Sequence, residues 1–140
     1  MNQSTLQALS KPWNILVLDD DPTWRGFIKS TLEFELKTTP LVAASGKEAL
    51  QILAEQPIDV VVSDLQMPVM DGFQFLKRAR VQSPSTKVII ISAAFEPMMP
   101  ASSTLTAAGA LAVVSKLDID TELVDLLRRI ENATCEGLLM

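Results

Sequence analysis

Short apolar runs alternate with longer amphipathic segments along this chain of 140 residues. The apolar runs predict five β-strands, because each is bounded by polar or turn-forming residues and several are rich in β-branched side chains. Their approximate limits are 14–19, 38–43, 58–63, 87–92 and 111–115. Between the strands, apolar residues recur at the spacing of one helix face, first at Trp24, Phe27, Ile28, Leu32 and Leu36. The pattern therefore predicts five strand–helix units.

Capping residues mark where the helices begin. Asp21-Pro22 predicts an N-cap followed by proline at the first helical position, and Ser45-Gly46-Lys47-Glu48 fits a capping box. Asp71-Gly72 opens the third helix. A short fourth helix is expected after a loop at about 95–101, and a fifth at about 120–132.

The alternation of strands and helices predicts a doubly wound α/β fold with a parallel sheet. The third strand is almost entirely β-branched, as expected for a strand that helices cover on both faces. Pro40 cannot donate to a neighbouring strand, so the second strand should lie at a sheet edge. Right-handed crossovers then favour the strand order 2-1-3-4-5, with ligands binding at the carboxyl ends of the strands.

Composition narrows the classes of function. Apolar residues make up 48% of the chain, which is typical of one globular domain, and the net charge of −5 argues against binding nucleic acid or an anionic membrane. The chain has no histidine, which excludes a Ser-His-Asp triad, and its one cysteine, Cys135, excludes an internal disulfide. No apolar stretch approaches 18 residues, so we expect a cytoplasmic protein. We expect a flexible arm at 1–13, one domain at 14–133 and a tail at 134–140.

Polar side chains follow four of the predicted strands at their carboxyl ends. They are Asp19 and Asp20, Asp64, Ser92, and Lys116. Two carboxylates about 4 Å apart repel each other by roughly 4 kcal/mol at an effective dielectric constant near 20, so a cation is needed to offset the repulsion. Mg²⁺ suits a site with few carboxylates and phosphate oxygens. A carboxylate beside such an ion can attack phosphorus, and the sequence therefore indicates phosphoryl chemistry at this edge.

Four segments resemble the receiver domain of bacterial two-component response regulators. They are Asp19-Asp20, the run from Ser63 through Asp64-Leu65-Gln66-Met67-Pro68-Val69-Met70-Asp71 to Gly72, Ser92-Ala93, and Lys116. The resemblance covers about residues 14–132. It implies a flavodoxin-like (βα)5 three-layer sandwich, of the kind found in chemotaxis regulators.

The resemblance also implies roles for the clustered residues. Asp64 would be the phosphoacceptor, Ser92 the switch hydroxyl and Lys116 the contact to the phosphoryl group. A Mg²⁺ ion would be held by Asp19, Asp20, Asp64 and the backbone carbonyl of Gln66. Asp21 is expected to act only as the helix cap, and Trp24 is expected to serve packing rather than ligand contact.

Partners follow from the same resemblance. The phosphodonor would be a sensor histidine kinase or a phosphotransfer protein, and the signal would pass to a downstream protein or to an output domain. A homodimer through the fourth and fifth helices is a further expectation. The domain would not be a turnover enzyme, and at most it would catalyse its own phosphorylation and dephosphorylation.

Two positions depart from the family pattern. Leu117 follows Lys116 where a proline is usual, so we expect a trans peptide bond and a rearranged loop. Val113 occupies the position of the usual aromatic switch residue, so an aromatic rotamer change is unavailable there. Gln66 and Ala94 occupy positions that should tune the lifetime of the phosphorylated state.

Two other functions are compatible with parts of the sequence. Asp19-x-Asp21-x-Thr23 matches the first motif of haloacid dehalogenase-type phosphatases, in which Asp19 would be the nucleophile and Asp21 the acid/base. The changes at Val113 and Leu117 also fit an interaction module on the receiver scaffold that works without phosphorylation.

Overall fold

The computed structural model describes residues 13–93 and 100–139. The predicted N-terminal arm lies outside these residues except for Trp13, and so do Ala94 and most of the loop predicted before the fourth helix. The domain limits at 14 and 133 stay predictions.

Five parallel strands form one sheet in the order β2-β1-β3-β4-β5, which confirms the predicted doubly wound topology. The strands are β1 Ile15–Leu18, β2 Leu41–Ala43, β3 Val60–Asp64, β4 Lys87–Ser92 and β5 Ala112–Ser115. The helices are α1 Pro22–Leu36, α2 Gly46–Glu55, α3 Gly72–Gln82, α4 Ser102–Ala107 and α5 Val124–Leu139.

Helices cover both faces of the sheet, so the protein has three layers. Ile28 of α1 and Leu127 of α5 are buried on one face, and Leu53, Phe75 and Leu105 of α2, α3 and α4 are buried on the other. Each such side chain contributes about 1.5–3 kcal/mol when fully buried. Both faces of β1 and β3 are therefore buried, which is why Ile15–Leu18 and residues 60–62 are apolar without alternation, whereas β3 ends in Ser63 and Asp64.

Several element limits differ from the predicted ones. The edge strand β2 begins only at Leu41, directly after Pro40, because proline has no backbone N–H to donate. Strand β3 extends to Asp64, so this carboxylate belongs to the sheet rather than to the following loop. Helix α5 continues to Leu139, well beyond the predicted end at 132.

The connection from β5 to α5 consists of two short helical turns. A 3₁₀ turn spans Lys116–Asp118 and a π-helical turn spans Ile119–Leu123 before α5 begins. Ser115 Oγ accepts the backbone N–H of Leu117 at 3.2 Å, which closes the first turn. Every peptide bond in the described segments is trans, so the prediction for Lys116–Leu117 is confirmed. None of the helices described is both long and apolar enough to cross a bilayer.

Candidate functional site at the carboxyl edge of the sheet

Three carboxylates meet at the carboxyl ends of β1 and β3. Ligand oxygens of Asp19, Asp20 and Asp64 lie within 4.8 Å of one another. Strand register explains the meeting: Leu18 pairs with Ser63, so the next residues on the two neighbouring strands, Asp19 and Asp64, lie side by side. Asp19 and Asp64 are buried, whereas Asp20 is exposed. The predicted acidic cluster is therefore present.

Backbone hydrogen bonds hold Asp19 firmly in place. Its N–H donates to the carbonyl of Ala43 at 3.2 Å, and its Oδ1 accepts the N–H of Asp21 at 2.9 Å. The backbone carbonyl of Asp19 accepts a hydrogen bond from Arg25 Nη1, with 2.9 Å between the nitrogen and the oxygen. Its second carboxylate oxygen, Oδ2, is buried and has no hydrogen-bond partner within the described part of the chain. Burial raises the pKa of Asp19 above its ordinary value, although the bond from Asp21 and the charge of Lys116 oppose the shift.

Asp21 differs from its two neighbours because its carboxylate is occupied by helix capping. Its Oδ1 accepts the N–H of Thr23 at 2.9 Å, and Pro22 occupies the first helical position, as the sequence predicts. This placement gives no support to the phosphatase interpretation, in which Asp21 would be a free acid/base.

Asp64 is paired with the amine that the sequence predicts beside it. Lys116 Nζ lies 3.2 Å from Asp64 Oδ1, with 17% and 4% of the two side chains exposed. Burial and the neighbouring charge of Asp19 raise the pKa of Asp64 to about 6, against the opposing effect of Lys116. One ammonium group thus faces three carboxyl groups.

Trp24 is a residue of this site to which the sequence assigns only a packing role. It packs against the core between α1, α5 and the sheet, as expected, but Lys116 Nζ also lies 5.1 Å from the centre of its ring. The one sequence signal was its place in the first turn of the helix that follows the acidic pair.

Ser92 and Gln66 both lie at or just after the carboxyl end of a strand. Ser92 ends β4 and is half-buried; it comes directly after Ile91, the residue that pairs with Asp64 on the neighbouring strand. Gln66 lies in the loop after β3 with an exposed side chain. Both residues are at the same edge of the sheet as the carboxylates.

The loop that carries Gln66 is tied to the sheet at both ends. The N–H of Leu65 donates to the carbonyl of Ile91 at 2.9 Å, and the N–H of Gly72 donates to the carbonyl of Leu65 at 2.7 Å. Asp71 then caps α3 in a reciprocal capping box with Gln74. The role predicted for Asp71 is thereby confirmed, and the loop is held in one position relative to Asp64.

The donor set fits a hard divalent cation. All three clustered side chains offer oxygen, and at about 5 Å two carboxylates repel each other by roughly 3 kcal/mol at an effective dielectric constant near 20. Asp19 Oδ2 is a buried acceptor that lacks a donor, which is the group that a cation would satisfy. Mg²⁺ typically takes one or two protein carboxylates together with water and phosphate oxygens, in agreement with this partly open cluster.

Comparison with known proteins shows which family this chain resembles. The family model described as "Response regulator receiver domain" matches residues 15–128. A protein-glutamate methylesterase/protein-glutamine glutaminase of Rhodospirillum centenum is 38% identical over 103 residues, which cover 72% of this chain and 23% of that protein. The transcriptional regulatory protein MalR of Bacillus subtilis is 38% identical over 87 residues, 59% of this chain and 36% of that protein. The chain thus spans about a quarter to a third of the curated relatives it matches.

Solved structures agree with the sequence relatives. A response regulator receiver domain protein from Clostridium thermocellum superposes with a TM-score of 0.78 at 29% identity, covering 91% of this chain and 99% of that one. The receiver domain of the Francisella response regulator 1452 gives a TM-score of 0.76 at 34% identity, covering 89% and 99%. Fold, acidic cluster and sequence match lead to one conclusion: the chain belongs to the response regulator receiver domain family.

Proposed function

We propose that this receiver domain accepts a phosphoryl group on Asp64. The observation that supports this most directly is the ion pair between Asp64 and Lys116, set inside a cluster of three carboxylates at the carboxyl edge of the sheet. A carboxylate oxygen of Asp64 forms the new bond to phosphorus. The bond from phosphorus to the donor breaks, and its electron pair leaves with the donor, an imidazole nitrogen in the case of a phosphohistidine.

The other residues of the cluster stabilise the transferred group. Lys116 neutralises charge on the phosphoryl oxygens, and Ser92 donates a hydrogen bond to one of them from the neighbouring strand. Mg²⁺, when bound, supplies further neutralisation of the phosphoryl charge. Asp19, Asp20, Asp64 and the backbone carbonyl of Gln66 would hold that ion.

Phosphorylation would change the surface formed by α4, β5 and α5. Shifting a two-state switch from 1:99 to 99:1 requires roughly 5.5 kcal/mol, and a hydrogen bond to a charged group contributes about 1.5–3 kcal/mol. Two or three new bonds to the phosphoryl group, including those of Ser92 and Lys116, therefore suffice. Helix α4 is the element best suited to move, because it has six residues and its N-cap, Ala101, makes no side-chain capping bond.

Position 113 determines how that movement starts. Val113 lies half-buried in β5 and packs against the core under α2, α3 and α4. A valine has no ring to rotate into a cavity, so a rotating aromatic side chain cannot start the change at this position.

The partners follow from the chemistry. A sensor histidine kinase or a phosphotransfer protein supplies the phosphoryl group, which places the domain in the cytoplasm with the ATP that charges the kinase. The recipient of the signal is a downstream protein or an output domain, in keeping with relatives named as transcriptional regulators and methylesterases. A homodimer through α4 and α5 remains part of the proposal.

Intact-mass measurement tests the proposal. Incubation with acetyl phosphate and Mg²⁺ should add the mass of one phosphoryl group, and peptide mapping should locate it on Asp64. Asp64→Asn should remain unlabelled, whereas Asp120→Asn, an exposed acid changed in the same way, should be labelled like the wild type. Labelling of Asp19 instead would support the phosphatase interpretation and contradict this one.

A further inference from the structure

The ring of Trp24 lies against the ammonium group that contacts Asp64. Lys116 Nζ is 5.1 Å from the ring centre of Trp24 and 3.2 Å from Asp64 Oδ1. Only 17% of the Lys116 side chain is exposed, so both contacts act where water competes weakly. A cation–π contact of this kind strengthens as the ammonium group loses solvent.

The ring itself is held from several sides. Trp24 packs against the apolar core, and Phe27, one helical turn later, meets its ring edge to face at 5.7 Å with an interplanar angle of 84°. Arg25 ties the same turn of α1 to the backbone carbonyl of Asp19 at 2.9 Å. The ring is therefore fixed relative to the acidic cluster, whereas the long side chain of Lys116 has many rotamers of its own.

We propose that Trp24 is a positioning residue for phosphoryl transfer, holding Lys116 Nζ against Asp64 by a cation–π contact. This inference rests on the proposed function of Asp64. An aromatic ring is well suited to the task for an electrostatic reason. A further carboxylate would also hold the lysine, but it would add negative charge to a site that already has three carboxylates and must accept a phosphoryl group. The ring attracts the ammonium group without adding net charge, and it leaves the N–H groups free to donate to oxygen.

Substitutions at Trp24 separate the cation–π contact from simple packing. We expect Trp24→Leu, which keeps apolar bulk but has no ring, to lower the rate of Asp64 phosphorylation by acetyl phosphate about threefold to tenfold. Trp24→Phe keeps a ring and should restore part of the loss. The matched control is Trp13→Phe, because Trp13 precedes β1 at the opposite end of the strands; its rate should equal that of the wild type. Thermal denaturation of each variant identifies any that fail to fold.

A measurement on the wild-type protein without metal or phosphodonor provides a second test. In NMR spectra, ring current should move the ε-methylene protons of Lys116 upfield, and they should show nuclear Overhauser effects to the Trp24 ring. Trp24→Leu should remove the shift, and Trp24→Phe should retain part of it.

The outcomes distinguish this inference from the proposed function. Wild-type protein labelled on Asp64, with Trp24→Leu equally fast, faster, or slowed no more than Trp24→Phe, overturns the inference alone. Ordinary Lys116 proton shifts in the wild type also overturn it, whatever the variants do. Absence of labelling on Asp64 in wild type and Trp13→Phe overturns the proposed function instead.

Discussion

The start of α3 lies so close to the end of β3 that Gly72 has no room for a side chain beside the backbone of Asp64. A Cβ atom at position 72 would collide with the Asp64 carbonyl oxygen and would lie 2.8 Å from Cα of Leu65. The N–H of Gly72 donates to the Leu65 carbonyl at 2.7 Å, which holds the two segments at this separation. Close approach of two backbones therefore requires glycine here, and it sets the position of the carboxylate that we propose as phosphoacceptor.

Gly72→Ala should destabilise the protein because both obstructing groups are backbone atoms that cannot rotate away. We expect a loss of about 1–3 kcal/mol in the free energy of unfolding, the usual range for overpacking, together with slower labelling of Asp64. Urea denaturation provides the measurement. The control is Gly26→Ala in α1, where a Cβ meets nothing within 4 Å. Because alanine is the better helix former, that change should stabilise the protein by about 0.5–1 kcal/mol.

Val69→Asn should stabilise the protein. Val69 adopts a φ of 68°, a conformation that β-branched residues rarely take, and its side chain is fully exposed and packs against nothing that would offset the strain. The strain costs about 1–2 kcal/mol, and asparagine tolerates this conformation better, so we expect a gain of about 1 kcal/mol in the free energy of unfolding.

The control for this change is Val81→Asn. Val81 is 85% exposed within the regular helix α3, and valine and asparagine have similar helix propensities. The free energy of unfolding should change little. Equal effects at positions 69 and 81 in urea denaturation would show that backbone strain at Val69 contributes nothing.

The stability of the metal-free protein should depend on the protonation of Asp64. Its pKa in the folded state is raised to about 6, chiefly by burial, whereas an unfolded aspartate titrates near 3.9. The folded state therefore binds this proton more tightly. The resulting stabilisation is complete below about pH 4 and is lost as the pH rises through 6. It amounts to roughly 2–3 kcal/mol.

Asp64→Asn mimics the protonated carboxyl group at every pH and isolates this effect. With EDTA present, the variant should match the wild type near pH 4 and exceed it by roughly 2 kcal/mol at pH 7.5 in urea denaturation. Asp120→Asn, which changes an exposed acid in the same way, is the control. A wild type that gains stability over the Asp64→Asn variant between pH 4 and 7 would contradict the assigned direction of the pKa shift.

Magnesium should stabilise the folded protein through the acidic cluster. An ion that binds only the folded state adds about 2.7 kcal/mol at a concentration 100 times its Kd. The rise in thermal midpoint on adding Mg²⁺ at pH 7.5 should be reversed by EDTA and greatly reduced in Asp20→Asn. Asp21→Asn is the matched control at the next residue: asparagine caps helices as well as aspartate does, so the response to Mg²⁺ should persist. Equal responses of the two variants would place the ion elsewhere.

Local patterns in the sequence were enough to predict the fold and the meeting of the three carboxylates. The β-branched run before Asp64 predicted a central strand, Pro40 predicted an edge strand, and Asp21-Pro22 and Asp71-Gly72 predicted two helix starts. These predictions succeed because strand period, helix period and capping depend on neighbouring residues. Since parallel strands end at one edge, the same pattern also brought Asp19 and Asp64 together.

The tertiary structure decided what depends on the packing of one element against another. No local pattern states that Trp24 meets Lys116, that a Cβ at Gly72 would strike the strand before it, or that β3 continues through Asp64. The first two depend on how a helix is rotated about its axis and how far it lies from the sheet, and the third depends on pairing with the neighbouring strand. All three are determined by the packing of the complete core. The raised pKa of Asp64 follows from the same packing, because burial exists only after the helices have covered the sheet.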